Sequence, residues 1–195
     1  IEGLQAYTTV NEVPEDIDLA IIVVNSKFVL STIDQCNEKG IKGLCIITAG
    51  FKETGKEGAE LEKQLTEKLN EYGMRCVGPN CLGVVNTHPD IKMDGCFAES
   101  LPERGHIGFV SQSGALGGGI LNILKDLNLG FAQFISIGNQ ADVNAETAIE
   151  YWENDDDVEI LETWKDLKEY LTFREKHDEW VQPFINELAA IGIPN

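Results

Sequence analysis

Two hydroxyls and a glycine stand at Ser111-Gln112-Ser113-Gly114, after the apolar run that ends at Val110 and before a stretch with helical spacing. A strand that delivers such residues to a helix start creates an anion site. The first backbone N–H groups of a helix lack intrahelical acceptors, and the positive end of its dipole attracts a phosphate. The same residues suit an ordinary serine cap, worth roughly 1 kcal/mol to the helix. They do not form a nucleophile elbow, because Gly-x-Ser-x-Gly would need glycine where Ser111 and Ala115 stand. Gly117, Gly118 and Gly119 follow inside the helical stretch. Each disfavours helix by about 1 kcal/mol relative to alanine, so a closely packed neighbouring element is the expected reason for them.

Three other loops carry polar and turn-forming residues: Asn25-Ser26-Lys27, Thr48-Ala49-Gly50-Phe51 and Gly78-Pro79-Asn80-Cys81. Each follows a short apolar run, and in an open parallel sheet the ligand sits beyond the carboxyl ends of the strands. Cys36, Cys45, Cys76, Cys81 and Cys96 are odd in number and contain no Cys-x-x-Cys pair. They predict neither a disulfide framework nor a metal cluster, and they fit a reducing compartment. Cys81 sits in a turn, where a small packed thiol is the expected role.

The elements that must position these loops alternate as strand and helix, which predicts an α/β fold with parallel sheets and helices on both faces. Residues 19–24 (LAIIVV) form a continuous β-branched run, expected as a central strand covered on both faces. Residues 28–39 predict a helix with Phe28, Ile33 and Cys36 inward, stopped by Gly40. Residues 43–47 give the next strand. Leu61, Leu65, Leu69 and Tyr72 mark one face of a second helix, ended by Gly73, and 75–77 is a third strand. From Val84 to Gly105 the chain reads as irregular, with a domain boundary near Pro102. A second unit then offers strands at 106–110, 131–137 and 158–161. Helices at 113–128 (Leu116, Ile120, Leu124 and Leu127 inward) and 144–152 (Ala148, Ile149 and Trp152 inward) join them as right-handed crossovers. Residues 162–195 carry Trp164, Leu167, Tyr170 and Leu171, then Trp180, Phe184 and Leu188, at helical spacing. They predict two helices.

A chain of 195 residues that is 43% hydrophobic and 25% charged is long enough to bury a core. No apolar run approaches the roughly 18 residues needed to cross a bilayer. The net charge of −18 excludes general affinity for nucleic acid, whose phosphates would be repelled. Ile1 stands where a start Met would, and the first ten residues lack the charge pattern of a secretory signal. The expectation is a cytoplasmic segment that starts inside a longer protein.

Four segments in order, ITAGFKETGKEGAELE (47–62), GPNCLGVVNT (78–87), GFVSQSGALGGGIL (108–121) and SIGNQADVN (136–144), resemble the NDP-forming acyl-CoA synthetases, the ADP-forming acetate-CoA ligases related to the succinyl-CoA synthetase α subunit. The resemblance covers about residues 3–160. It implies an incomplete Rossmann-like CoA-binding domain at 1–102 that lacks its first strand and glycine loop. It further implies the first half of a flavodoxin-like CoA-ligase domain at 103–161, with a helical tail of unassigned origin at 162–195.

Family members join an acid to coenzyme A with ATP, through an acyl phosphate and a phosphohistidine, reversibly. By resemblance, Asn25, Ser26, Lys27, Thr48, Ala49, Gly50, Phe51, Gly78, Pro79, Asn80 and Cys81 line the CoA site. Ser111, Gln112, Ser113, Gly114, Ala115 and Asn139 hold the phosphoryl group. ATP or ADP and magnesium bind outside this chain, on an ATP-grasp domain or β subunit, and a homo-oligomer is compatible.

The departures shape the expectation further. Asn25-Ser26 stands where the family usually has Pro-Ala. The phosphohistidine belongs beyond residue 160, where the resemblance ends. His177 lies among charged residues, and His88 and His106 are wrongly placed. No catalytic residue is therefore assigned, and the chain alone is expected to be inactive. The competing expectations are a catalytically silent CoA-sensing module, as attached to some protein acetyltransferases, and an interaction module built on the tail tryptophans. A dinucleotide enzyme is set aside because no Gly-x-Gly-x-x-Gly follows a strand.

Overall fold

The computed structural model describes residues 3–98, 101, 103–126 and 129–163. The expected tail helices, with Trp164, Trp180 and His177, lie outside the described residues, as does Leu127. The chain divides into two compact units, one of residues 1–83 and 137–144, the other of residues 84–136 and 145–195.

The first unit is built on a three-stranded parallel sheet, β1 (Leu19–Ile22), β2 (Gly43–Ile46) and β3 (Arg75–Val77), in that spatial order. Ala20 pairs with Leu44, and Leu44 with Cys76. The central position therefore falls to β2, whose Leu44, Cys45 and Ile46 are all buried. The run 19–24 was expected there. Among the described residues β1 pairs only with β2, and Ile21 is 43% and Val23 68% exposed. Both runs are apolar and β-branched, so composition alone does not rank them.

Helix α1 (Ser26–Lys39) starts at Asn25, whose side chain accepts from the Lys27 N–H at 3.2 Å. It ends at Gly40 with φ of 88°, a left-handed cap. Its inner face is Val29, Ile33 and Cys36. Phe28, expected inward, is 52% exposed. The i, i+4, i+7 stripe begins one residue later, at Val29, and Lys27 lies 4.8 Å over the Phe28 ring. Helix α2 (Lys56–Tyr72) buries Leu65 and Leu69 and ends at Gly73.

Asp34 of α1 accepts from Lys68 at 2.5 Å and from the Tyr72 hydroxyl at 2.7 Å, both on α2. The Lys68 hydrogen bond, with Tyr72, holds the Asp34 carboxyl below the usual carboxylate range in spite of partial burial. A depressed carboxylate stabilises the fold fully above its unfolded pKa, near 3.9, and loses that contribution as pH falls through the folded value. Asp34→Asn is therefore expected to lower the urea midpoint modestly at neutral pH, by less than about 1 kcal/mol given the exposure. Its deficit relative to wild type should shrink toward zero on acidification. A deficit independent of pH would assign Asp34 a packing role.

The second unit holds a five-stranded mixed sheet in the order β5 (Met93–Cys96), β4 (Gly83–Asn86), β7 (Phe131–Ser136), β6 (Arg104–Ser111), β8 (Ile160–Thr163). Strands β6, β7 and β8 are parallel, and β4 runs antiparallel to β7. The stretch expected to be irregular thus contains two strands. Val84 and Val85 pair with Ile135 and Phe134, and the Thr87 hydroxyl donates to the Phe131 and Ala132 carbonyls at 2.8 and 3.0 Å. A strand this short leaves too few residues to show a period, and its pairing partner lies about fifty positions away in sequence.

Helix α3 (Gly114–Asp126) buries Ile120, Leu121 and Leu124. A β-carbon on Gly117 would lie 3.0 Å from the Phe134 ring of β7, so the packing explanation holds for that glycine. One on Gly119 would meet nothing within 4 Å. Helix α4 (Ala145–Trp152) buries Ala148 and Trp152, and the Trp152 indole donates to Gln133 at 3.0 Å. Gly108 gives that indole room, since a β-carbon there would stand 3.1 Å from it.

Candidate CoA and phosphate sites

In the first unit, the three loops singled out by sequence leave the carboxyl ends of β1, β2 and β3 and are tied to one another. The Thr48 hydroxyl donates to the Val24 carbonyl at 2.7 Å, and the Asn80 N–H donates to the Thr48 carbonyl at 3.0 Å. Gly50, at φ of 108°, passes so close to Ser26 that a β-carbon would lie 2.8 Å from the Ser26 hydroxyl. Gly78, at φ of 100°, lies against the Ile46 carbonyl, where any β-carbon would collide. Asn25, Lys27, Ala49 and Asn80 are exposed on this rim, whereas Phe51, Gly78, Pro79 and Cys81 are buried beneath it. Exposed Val23, Val24 and Phe28 add an apolar border.

A polar cluster that the sequence reading missed holds these loops from below. Glu53 accepts from the N–H groups of Gly50 at 2.5 Å and Phe51 at 3.1 Å, so a carboxylate already occupies the donors of that turn. Burial pushes the Glu53 carboxyl up, but Asn139 and the two N–H groups outweigh it, and the group is held below the usual range. Glu62, only 7% exposed, accepts from Lys52 through its ammonium at 2.9 Å and its N–H at 3.3 Å. The Asn139 amide donates one proton to Glu53 at 2.6 Å and the other to Glu62 at 2.8 Å. Its oxygen accepts from Asn80 at 3.3 Å.

The Asn139 carbonyl takes the Lys52 ammonium, and its N–H donates to the Pro79 carbonyl at 2.8 Å. Asp142 fastens the same segment by accepting from Arg75 at 2.9 Å and from the Cys76 N–H at 2.7 Å. One signal could have found Glu62. It is a charged residue adjoining Leu61 and one helical turn from Leu65, where a solvated face was expected to lie.

In the second unit, β6 delivers Ser111 to the start of α3 as the sequence predicted. Ser111 is buried and its hydroxyl donates to the Ser113 carbonyl at 3.0 Å. The first helical bond runs from the Gly117 N–H to the Ser113 carbonyl at 2.9 Å. Gln112, Ser113 and Ala115 are exposed and Gly114 is half-buried. The backbone N–H groups of 114 and 115 therefore lead the helix, the position from which such groups reach an anion. His88 lies 3.7 Å from Asp157, itself held by Arg104 at 2.9 Å, and His106 lies 3.6 Å from Glu159. Both are surface ion-pair positions. Among the described residues no group of three metal-binding side chains occurs.

Comparison with known proteins gives two family matches. Residues 1–87 match the family described as CoA binding domain, and residues 104–172 match the succinyl-CoA ligase like flavodoxin domain. The chain belongs to the ADP-forming acyl-CoA synthetase family. It is 48% identical over 151 residues to the α subunit of acetate–CoA ligase [ADP-forming] II from Pyrococcus furiosus, covering 77% of this chain and 32% of that protein. Among solved structures, PH0766 from Pyrococcus horikoshii OT3 superposes with a TM-score of 0.79 at 46% identity, over 83% of this chain and 36% of its own. The dinucleotide-forming acetyl-coenzyme A synthetase 1 of Ca. Korarchaeum cryptofilum gives 0.76 at 34% identity, over 83% and 34%. The chain thus spans about a third of the length of these relatives. No helix among the described residues is long and apolar enough to cross a membrane.

Proposed function

We propose that this chain is the CoA-binding and phosphoryl-cradling part of an acid–CoA ligase that interconverts acyl-CoA, ADP and phosphate with acid, CoA and ATP. The observation that carries the reading is the mutual tying of the three loops at the carboxyl ends of β1, β2 and β3, inside a segment that matches a CoA binding domain. Asn25, Ser26, Lys27, Thr48, Ala49, Gly50, Phe51, Gly78, Pro79, Asn80 and Cys81 form the CoA surface. Exposed Lys27 supplies a cation for a phosphate, and Val23, Val24 and Phe28 supply apolar area for the pantetheine arm. Gly50 contributes close backbone, not an N–H donor, because Glu53 already takes the N–H groups of Gly50 and Phe51.

Ser111, Gln112, Ser113, Gly114 and Ala115 act as the helix start that accepts the phosphoryl group of a phosphohistidine. Asn139, first expected at that phosphate, spends both amide protons on Glu53 and Glu62. Its contribution is to hold the 137–144 segment against the CoA turn. The nucleotide and its magnesium bind an ATP-grasp partner, and the complete enzyme works in the cytoplasm. Neither His88 nor His106 is set in a loop of small residues, which supports the view that this segment alone does not turn over.

Formation of ATP from acetyl-CoA, ADP, phosphate and magnesium tests the proposal. The isolated chain should give none. The same chain combined with an ATP-grasp subunit and a phosphohistidine-bearing segment of a relative should give ATP. Failure of that assembly, with each part shown to be folded and associated, would favour a CoA-sensing role.

A further inference from the structure

Of the five cysteines, two are packed against each other. Cys45 on β2 and Cys81 in the turn after β3 place their sulfurs 3.8 Å apart, and both are buried, at 1% and 4% exposure. They are 36 positions apart in sequence and belong to the same unit. The Cys81 sulfur also lies 3.3 Å from the Ile46 carbonyl, which fixes its rotamer toward β2. The third nearby thiol, Cys76, donates to the Val77 carbonyl at 3.3 Å.

We infer that Cys45 and Cys81 form a peroxide-oxidisable dithiol, which closes to an intramolecular disulfide and ties β2 to the Gly78–Cys81 turn. This goes beyond the ligase reading and does not depend on it. The Cys45 thiol, with the N–H groups of Gly83 and Cys81, holds Cys81 below the usual thiol range against its burial. Burial raises Cys76 far above that range, so Cys76 remains a protonated bystander. The thiolate is the nucleophile in such chemistry, which selects Cys81 for the first step.

Hydrogen peroxide supplies the oxidant. The Cys81 thiolate attacks one peroxide oxygen and the O–O bond breaks. The departing hydroxide takes a proton and leaves as water, and Cys81 becomes a sulfenic acid. The Cys45 thiol, losing its proton, attacks that sulfur and expels the hydroxyl as a second water. Two thiols and one peroxide thus give one disulfide and two waters. A 3.8 Å separation needs only a short approach of the two sulfurs, and a dithiol reductant reverses the change.

The folded chain is treated with equimolar hydrogen peroxide, blocked with N-ethylmaleimide, digested with trypsin and read by tandem mass spectrometry. The expected product joins the peptide of residues 43–52 to that of 76–92 with a loss of two hydrogens. Fragment ions should place the link at Cys81, with Cys76 alkylated only after unfolding. Dithiothreitol should restore both free peptides. Cys76→Ser should keep the cross-link and Cys81→Ser should abolish it. Sulfinic acid on Cys81 with an unlinked Cys45 would overturn the inference. So would a link through Cys36, Cys76 or Cys96 in the wild-type chain, a result that does not rely on any variant folding.

Discussion

Replacing Asn139 with aspartate is expected to destabilise the first unit by roughly 3 kcal/mol at neutral pH, the sum of two lost hydrogen bonds to charged acceptors. The wild-type amide donates to both Glu53 and Glu62. An aspartate has no proton to give and sets a third carboxylate against two others, one of them 7% exposed. Like charges this close cannot all ionise without cost, so one should bind a proton well above the ordinary carboxylate range. The sign follows. Protonation restores a donor, so the variant should recover stability as pH falls from 7 toward about 5, before wild type begins to lose the Glu53 contribution. Urea midpoints across that pH range are the measurement. Wild-type-like stability at pH 7 would show that the amide is not the clamp.

The second large effect is expected at Gly78. With φ of 100° and the Ile46 carbonyl where a β-carbon would stand, Gly78→Val combines a disfavoured backbone with a direct clash. Roughly 3 kcal/mol or more is the expected cost, since strained φ and overpacking each contribute about 1 to 3 kcal/mol. Relief requires the turn to move away from β2. That movement would break the Asn80 N–H to Thr48 bond and the Ala141 N–H to Gly78 bond, which tie three segments together. Gly78→Ala should show a smaller loss of the same kind. An unchanged urea midpoint in the valine variant would mean that the turn has freedom the packing denies it.

The loops were legible in the sequence because strand and helix boundaries carry local signals. Gly40 and Gly73 stop their helices as left-handed caps, and Asn25 starts one. The alternation of apolar runs with helical spacing places Asn25, Thr48, Gly78 and Ser111 after strands without any knowledge of pairing. What the sequence concealed depends on distant partners. The central position of β2 over β1 follows from pairing, which two equally apolar runs do not reveal. Strand β4 exists because Val84 and Val85 meet β7. The Glu53–Glu62–Asn139 clamp joins residues up to 86 positions apart, and Glu53 does not differ locally from the solvated glutamates of α2. Phe28 misled because an aromatic at a helix start resembles a core residue, while the inner stripe began at Val29.

In the proposed function, a CoA surface is assembled from the three loops of the first unit. Calorimetric titration of CoA into the folded chain tests it most directly. Saturable heat with one CoA per chain is expected, weakened when Lys27→Ala removes the exposed cation and unaffected by Lys125→Ala on the second unit. A chain shown to be folded by circular dichroism that gives no saturable heat with CoA would contradict it.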